Sequence, residues 1–120
     1  MYQQVTILGN VGKDPEMKYT PAGKAVTSFS VATNRKYQRD GETVTDTVWF
    51  RVSAWDKLAE TVNQYLHKGN KVFVQGRLTA DPETGSPRVW TKQDGTPGAS
   101  FEVTADVVRF LSSKDGEEPF

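Results

Sequence analysis

The residues with the most chemical potential in this 120-residue chain lie in one short run. Between Thr45 and Ala54 the even positions Val48, Phe50, Val52 and Ala54 are apolar. The odd positions are Thr47, Trp49, Arg51 and Ser53, followed by Trp55. Period-two alternation is the mark of a strand with one buried face, so two indoles and a guanidinium are predicted to stand together on the opposite face. Flat rings beside a cation suit a ligand with π-faces and negative charge, and an unpaired nucleic acid offers both. Rings in such a place also serve as cover for a second small core or as a subunit interface. Periodicity weighs the two readings equally, and the interleaved Arg51 favours the ligand.

Further aromatic and basic residues extend the pattern. A run from Lys71 to Thr79 sets Val72, Val74 and Leu78 on one face against Lys71, Phe73, Gln75 and Arg77 on the other. Arg35, Lys36 and Arg39 flank Tyr37 at a predicted hairpin, although a plain solvated hairpin explains that cluster at least as well. Trp90 follows a Pro- and Gly-containing loop over Asp81 to Pro87.

The elements that must position these side chains are mostly strands. Gln4 to Gly9 reads as the first strand, closed by turn signals at Gly9-Asn10 and Gly12 to Pro15, and Glu16 to Tyr19 extends the sheet briefly. Thr27, Phe29 and Val31 alternate with Ser28, Ser30 and Ala32 to give the second strand. Asp40-Gly41 is a hairpin signal whose polar flanks imply a ribbon projecting beyond the core. After the third strand, Asp56 is expected to cap a helix carrying Leu58, Val62, Tyr65 and Leu66 at helical spacing, with Lys68-Gly69 as its basic end and stop. The fourth strand is the Lys71 to Thr79 run. Arg88 to Thr91 resumes a strand, Gln93 to Gly98 is a turn, and the last strand covers about Ser100 to Phe110. Five strands with one short helix between the third and fourth is the order of an all-β OB-fold, a Greek-key barrel. Residues 1–111 are expected to form this domain, and residues 112–120 a short, flexible acidic tail.

Composition narrows the function classes. The sequence has no cysteine and one histidine, so neither a disulfide framework nor a thiolate or histidine-rich metal site is expected, and no cofactor is assigned. His67 has no spacing that pairs it with a nucleophile, and there is no Gly-rich phosphate loop. Asp14 and Glu16 read as an acidic turn, so a small hydrolase is the poorest candidate. No apolar run approaches a membrane span and the first residues lack a signal-peptide pattern, so a soluble, cytoplasmic protein is expected, with no membrane partner. Basic and acidic residues number 15 each. Residues 114–120 hold Lys114 against Asp115, Glu117 and Glu118, which leaves 14 basic and 12 acidic residues before them. A surplus that small places the burden on local arrangement. A protein-interaction or oligosaccharide-binding barrel is the alternative, because one fold hosts many ligands; the aromatic and arginine face speaks for nucleic acid.

Several runs, in order, resemble the bacterial-type single-stranded DNA-binding proteins: Ile7-Leu8-Gly9-Asn10, Gly12 to Glu16, Tyr19 to Gly23, Phe29 to Thr33, Trp49 to Trp55, Lys57 to Glu60, Tyr65 to Gly69 and Gly76-Arg77-Leu78. The resemblance implies an OB domain that assembles as a homotetramer and wraps unpaired DNA in replication, recombination and repair, associated with the nucleoid of a bacterium or working in a phage or organelle. It also implies stacking roles for Tyr37, Trp49, Trp55 and Trp90 and a DNA contact for Arg51. Arg35, Lys36, Arg77 and Lys71 are added here as backbone contacts, with Phe73 beside them. Glu117-Glu118-Pro119-Phe120 is similar to the acidic tip through which that family recruits genome-maintenance proteins. The sequence departs from the pattern with Glu118 where an aliphatic residue is usual, and with a longer loop over Ala80 to Pro87.

Overall fold

A computed structural model describes residues 1–111. The expected tail, with Glu117, Glu118, Pro119 and Phe120, lies outside the described residues. Eight strands and one helix follow in the order β1 (Val5–Val11), β2 (Glu16–Tyr19), β3 (Ala25–Arg39), β4 (Glu42–Trp55), α1 (Asp56–Tyr65), β5 (Lys71–Leu78), β6 (Val89–Thr91), β7 (Pro97–Ala99) and β8 (Phe101–Phe110). The main sheet runs β1-β5-β8-β4-β3-β2, and an extra β1–β3 pairing joins its two ends. Strands β1, β5, β8, β4 and β3 therefore close a five-stranded barrel, with β2 as an added edge. The expected five strands are these barrel strands, in chain order, and the helix lies between the third and fourth. This is the OB-fold arrangement.

Closure depends on two places where the backbones come very close. The turn expected at Gly9-Asn10 is instead continuous strand through Val11, because Gly9 sits where β1 changes partner from β5 to β3. A Cβ at Gly9 would collide with the Ala32 carbonyl and lie 2.9 Å from Cγ1 of Val31. Glycine thus marks a close backbone approach here, not a turn. The second place is Gly76, where the β5–β8 register shifts between Gln75 and Gly76 and a Cβ would meet the Thr104 carbonyl. Such a bulge adds the local twist that a small barrel needs. It also breaks the alternation: Leu78, expected among the core residues, is exposed beside exposed Arg77.

Strands β3 and β4 form the longest ladder, joined by the two-residue turn Asp40-Gly41, whose φ values of 51° and 81° fit the mirror-image turn that matches strand twist. Inside the barrel lie Ile7, Val11, Phe29, Val31, Val52, Ala54, Val72, Val74, Val103 and Val108.

Helix α1 closes one end by burying Ala59 and Val62, together with Leu66 just after it. Its ends differ from the expected ones. Trp55, with extended backbone, occupies the cap position without a side-chain hydrogen bond, while Asp56 is the first helical residue at φ 57°, a conformation aspartate tolerates better than most residues. The helix stops at Tyr65, three residues before Lys68, and Leu66 N–H donates to the Val62 carbonyl at 2.9 Å. Gly69 belongs to the following turn, where its N–H donates to Val11 O at 2.8 Å.

A single buried hydroxyl ties this helix to the sheet: Thr27, fully buried, donates to the Ala59 carbonyl at 2.7 Å. Thr27→Val keeps the shape and removes a second bond from a carbonyl that keeps its helix-ladder donor, so urea denaturation should show a loss of about 0.5–1.5 kcal/mol. An unchanged midpoint would mean that the bond contributes nothing net.

Candidate nucleic-acid interface

In an antiparallel ladder, residues directly opposite share a face. The β3–β4 register sets Trp55 opposite Val26, Ser53 opposite Ser28, Arg51 opposite Ser30 and Trp49 opposite Ala32. The outward row of β4 is thus Trp49, Arg51, Ser53 and Trp55, facing small or short partners that leave the rings uncovered. Trp49 is 52% exposed and Trp55 39%. Six residues of strand separate them by roughly 20 Å, far beyond the ~3.4 Å spacing of stacked nucleotides, so they would meet different bases.

Glycine again decides where a ring can lie. A Cβ on Gly12 would be 2.5 Å and 2.8 Å from two carbons of the Trp49 indole, so the ring lies over the bare backbone at the end of β1. One edge is thereby fixed while half of the ring stays open.

Trp90 belongs to a small two-stranded sheet of its own. Residues 93–98, read as a simple turn, are the tip and returning strand of a β6–β7 hairpin in which Trp90 is opposite Gly98. A Cβ there would come within 2.9 Å of the indole, so Trp90 rests on Gly98 and remains 40% exposed. The hairpin tip is held by Asp94, whose carboxylate accepts from the Thr96 hydroxyl at 2.6 Å and the Thr96 N–H at 3.0 Å. These two bonds hold the Asp94 carboxyl below its ordinary range.

Ser28, Arg51, Ser53, Arg88, Trp90 and Glu102 line one cleft of about 390 Å³. Arg51 also borders a second, of about 180 Å³, with Lys13, Asp14, Glu16, Ser28, Phe29 and Ser30. It stands between the two and makes no ion pair among the described residues. Arg88 differs: its guanidinium donates to both oxygens of Glu102, at 2.6 Å and 3.3 Å. The bond and charge of Glu102 push the Arg88 pKa above its ordinary value.

The remaining sequence candidates are distributed around the barrel. Lys36 is opposite Thr45 and so shares the Trp49 face, further out on the ribbon. Arg35 and Tyr37, opposite Asp46 and Val44, stand on the other face. There the Arg35 guanidinium lies 4.8 Å from the Tyr37 ring centre and 3.2 Å from the Asp46 carboxylate. The Tyr37 cluster is therefore not continuous with the Trp49 row. Lys71 is opposite Asn10, which in turn is opposite Ala32, the partner of Trp49, so it lies level with Trp49 three strands away. Phe73 is half-buried between Leu8 and Arg109 of the neighbouring strands. Arg77 lines a different cleft, of about 550 Å³, with residues 1–4, Gly76 and Asp106.

Arg88, Glu102 and Lys13 border the clefts and were not singled out from sequence. Alternation in Phe101 to Ala105, with Val103 and Ala105 buried and Glu102 and Thr104 between them, could have placed Glu102 on the outer face. Its pairing with Arg88 follows from the β6–β7 register, in which Val89 is opposite Ala99. Among the described residues no group of three or more acidic, histidine or cysteine side chains is arranged to hold a metal ion, and no helix is long and apolar enough to cross a membrane.

Residues 2–111 match the single-strand binding protein family. The chain belongs to that family. A single-stranded DNA-binding protein of Wolinella succinogenes is 34% identical over 119 residues, 98% of this chain and 69% of the relative. One from Xanthomonas axonopodis pv. citri is 38% identical over 112 residues, 92% of this chain and 58% of the relative. This chain thus spans roughly three-fifths to two-thirds of these relatives' lengths. Among solved structures, the Plasmodium falciparum SSB complex with ssDNA superimposes with a TM-score of 0.75 at 28% identity, covering 93% of this chain and 97% of that one. The family consists of binding proteins and not enzymes, which agrees with the lack of any catalytic grouping in the sequence.

Proposed function

We propose that this chain binds single-stranded DNA with little regard to sequence, and that it protects and organises unpaired strands in replication, recombination and repair. The observation that carries this reading is the outward row of β4, where two half-exposed indoles flank a guanidinium with no acid partner among the described residues. Every base has a π-face, so stacking on Trp49, Trp55 and Trp90 tolerates any sequence, while Arg51, Lys36 and Lys13 can neutralise phosphates beside them. The same reading gives Lys71, Arg77, Phe73, Arg35 and Tyr37 a part only for a strand that travels around the barrel or over the ribbon. Such a path is natural if four copies assemble and the DNA wraps them. The reading is supported by family membership and by the complex of the Plasmodium falciparum protein with ssDNA. Action at the nucleoid, and recruitment of genome-maintenance proteins by Glu117, Glu118, Pro119 and Phe120, belong to the same proposal and rest on sequence alone.

Titration with poly-dT at low ionic strength tests it, because the three tryptophans report on stacking directly. Fluorescence should be quenched by the single strand and much less by a duplex of equal length. The logarithm of the binding constant should fall linearly with the logarithm of salt, by about 0.7 per phosphate neutralised on a single strand. Unquenched emission would remove the stacking role. A flat salt response would remove the basic residues.

A further inference from the structure

We infer that Arg88 and Glu102 act as a positioning clamp that sets Trp90 over the Arg51 cleft, so that a carboxylate inside a nucleic-acid interface strengthens binding. This rests on the proposed reading of that cleft as a base-stacking site. The β6–β7 hairpin forms a separate two-stranded sheet and makes no ladder with the barrel. Its backbone hydrogen bonds, such as Lys92 N–H to the Thr96 carbonyl at 2.8 Å, stay inside it. One end runs through Ser100 directly into β8, and the other enters from the Asp81 to Pro87 loop; a two-stranded hairpin is marginal by itself, so the entering end needs an anchor. Arg88, the residue just before β6, grips Glu102 of β8 through two hydrogen bonds, and this fork fixes direction as well as distance. Glu102 is itself well placed to be an anchor: its side chain is only 13% exposed, and the parallel β4–β8 register sets it level with Arg51.

The two arginines of the cleft therefore have different tasks. Arg51 is available to a phosphate, whereas the Arg88 charge is occupied by Glu102. The clamp also explains why an acid is tolerable here, since Arg88 offsets the repulsion it would otherwise exert on a polyanion.

The sign of one substitution separates this account from plain electrostatics. Removing a carboxylate from a surface that binds a polyanion should tighten binding if charge alone matters. If the clamp holds Trp90, Glu102→Ala should weaken oligo-dT binding by at least about fivefold, the lower end of what one stacked base contributes. The test uses the full chain and measures affinity for Glu102→Ala, Trp90→Ala and the double variant, with a thermal melt of each. In the Trp90→Ala background, Glu102→Ala should cause no loss, because only its charge effect is left. Arg88→Ala supplies a second route to the same clamp, and its loss should likewise shrink when Trp90 is absent. Tighter binding by Glu102→Ala with Trp90 present, or an equal loss in both backgrounds, would overturn the clamp. Parental affinity of Trp90→Ala would also overturn it, by removing the ring that the clamp serves. The response of Trp49 and Trp55 variants still reports separately on whether the chain binds single strands through β4.

Discussion

A variant carrying both Trp49→Ala and Trp55→Ala should lose about 2–6 kcal/mol of affinity for oligo-dT, about 30-fold to 10⁴-fold, from two stacking contributions of about 1–3 kcal/mol each. Both rings lie outside the barrel, and their cross-strand partners Ala32 and Val26 do not depend on them for the core. The variant should therefore melt near the parent temperature, which makes the loss readable as binding. The salt slope should stay close to the parent value, because Arg51 remains between the two positions. Parental affinity in a folded double variant would remove β4 from the interface.

The largest effect on stability is expected from a single methyl group. Gly76→Ala places a Cβ against the Thr104 carbonyl, and the atom in the way is backbone in the neighbouring barrel strand, not the end of a flexible side chain. The collision must be relieved by separating β5 from β8 at the bulge, where Gly76 is opposite Ala105 and Arg77 opposite Thr104. Overpacking of this kind costs about 1–3 kcal/mol or more, and the lack of any yielding group puts Gly76 at about 3 kcal/mol. For a chain of this size that corresponds to a drop in melting temperature on the order of 10 °C. Gly9→Ala should act similarly through the Ala32 carbonyl, at the place where β1 changes partner from β5 to β3. A melting temperature within a degree or two of the parent for Gly76→Ala would show that the bulge has slack.

These two cases also mark what could be read in the sequence. The β4 alternation was legible because a strand buried on one face must repeat every two residues, and the structure keeps Val52 and Ala54 inside with Trp49, Arg51 and Trp55 outside. The five barrel strands and the position of the helix followed from the same rule. Gly9 was misread because glycine serves turns and close approaches alike, and only the strand beside it distinguishes them. Leu78 was misplaced because a bulge resets the alternation without a signature of its own.

The placement of the Tyr37 cluster follows from its turn. With Asp40-Gly41 as a two-residue turn, Arg39 must be opposite Glu42, and counting back sets even positions of β3 against odd positions of β4. Tyr37 therefore stands on the face away from Trp49, whereas its neighbour Lys36 is on the Trp49 face. The Arg88–Glu102 pair is local to the β6–β7 hairpin, whose register brings Arg88 to Ser100, two residues before Glu102; reading residues 93–98 as a plain turn left that register out of view.

The barrel is sealed by its final strand, which pairs with both β4 and β5. While the polypeptide is being synthesised, a nascent chain that has emerged only as far as residue 100 contains every β4 tryptophan but not the strand that holds the sheet curled behind them. Until β8 has been made, the sheet behind those rings lacks the partner that β4 and β5 share, so the curvature of the surface has to wait for that strand.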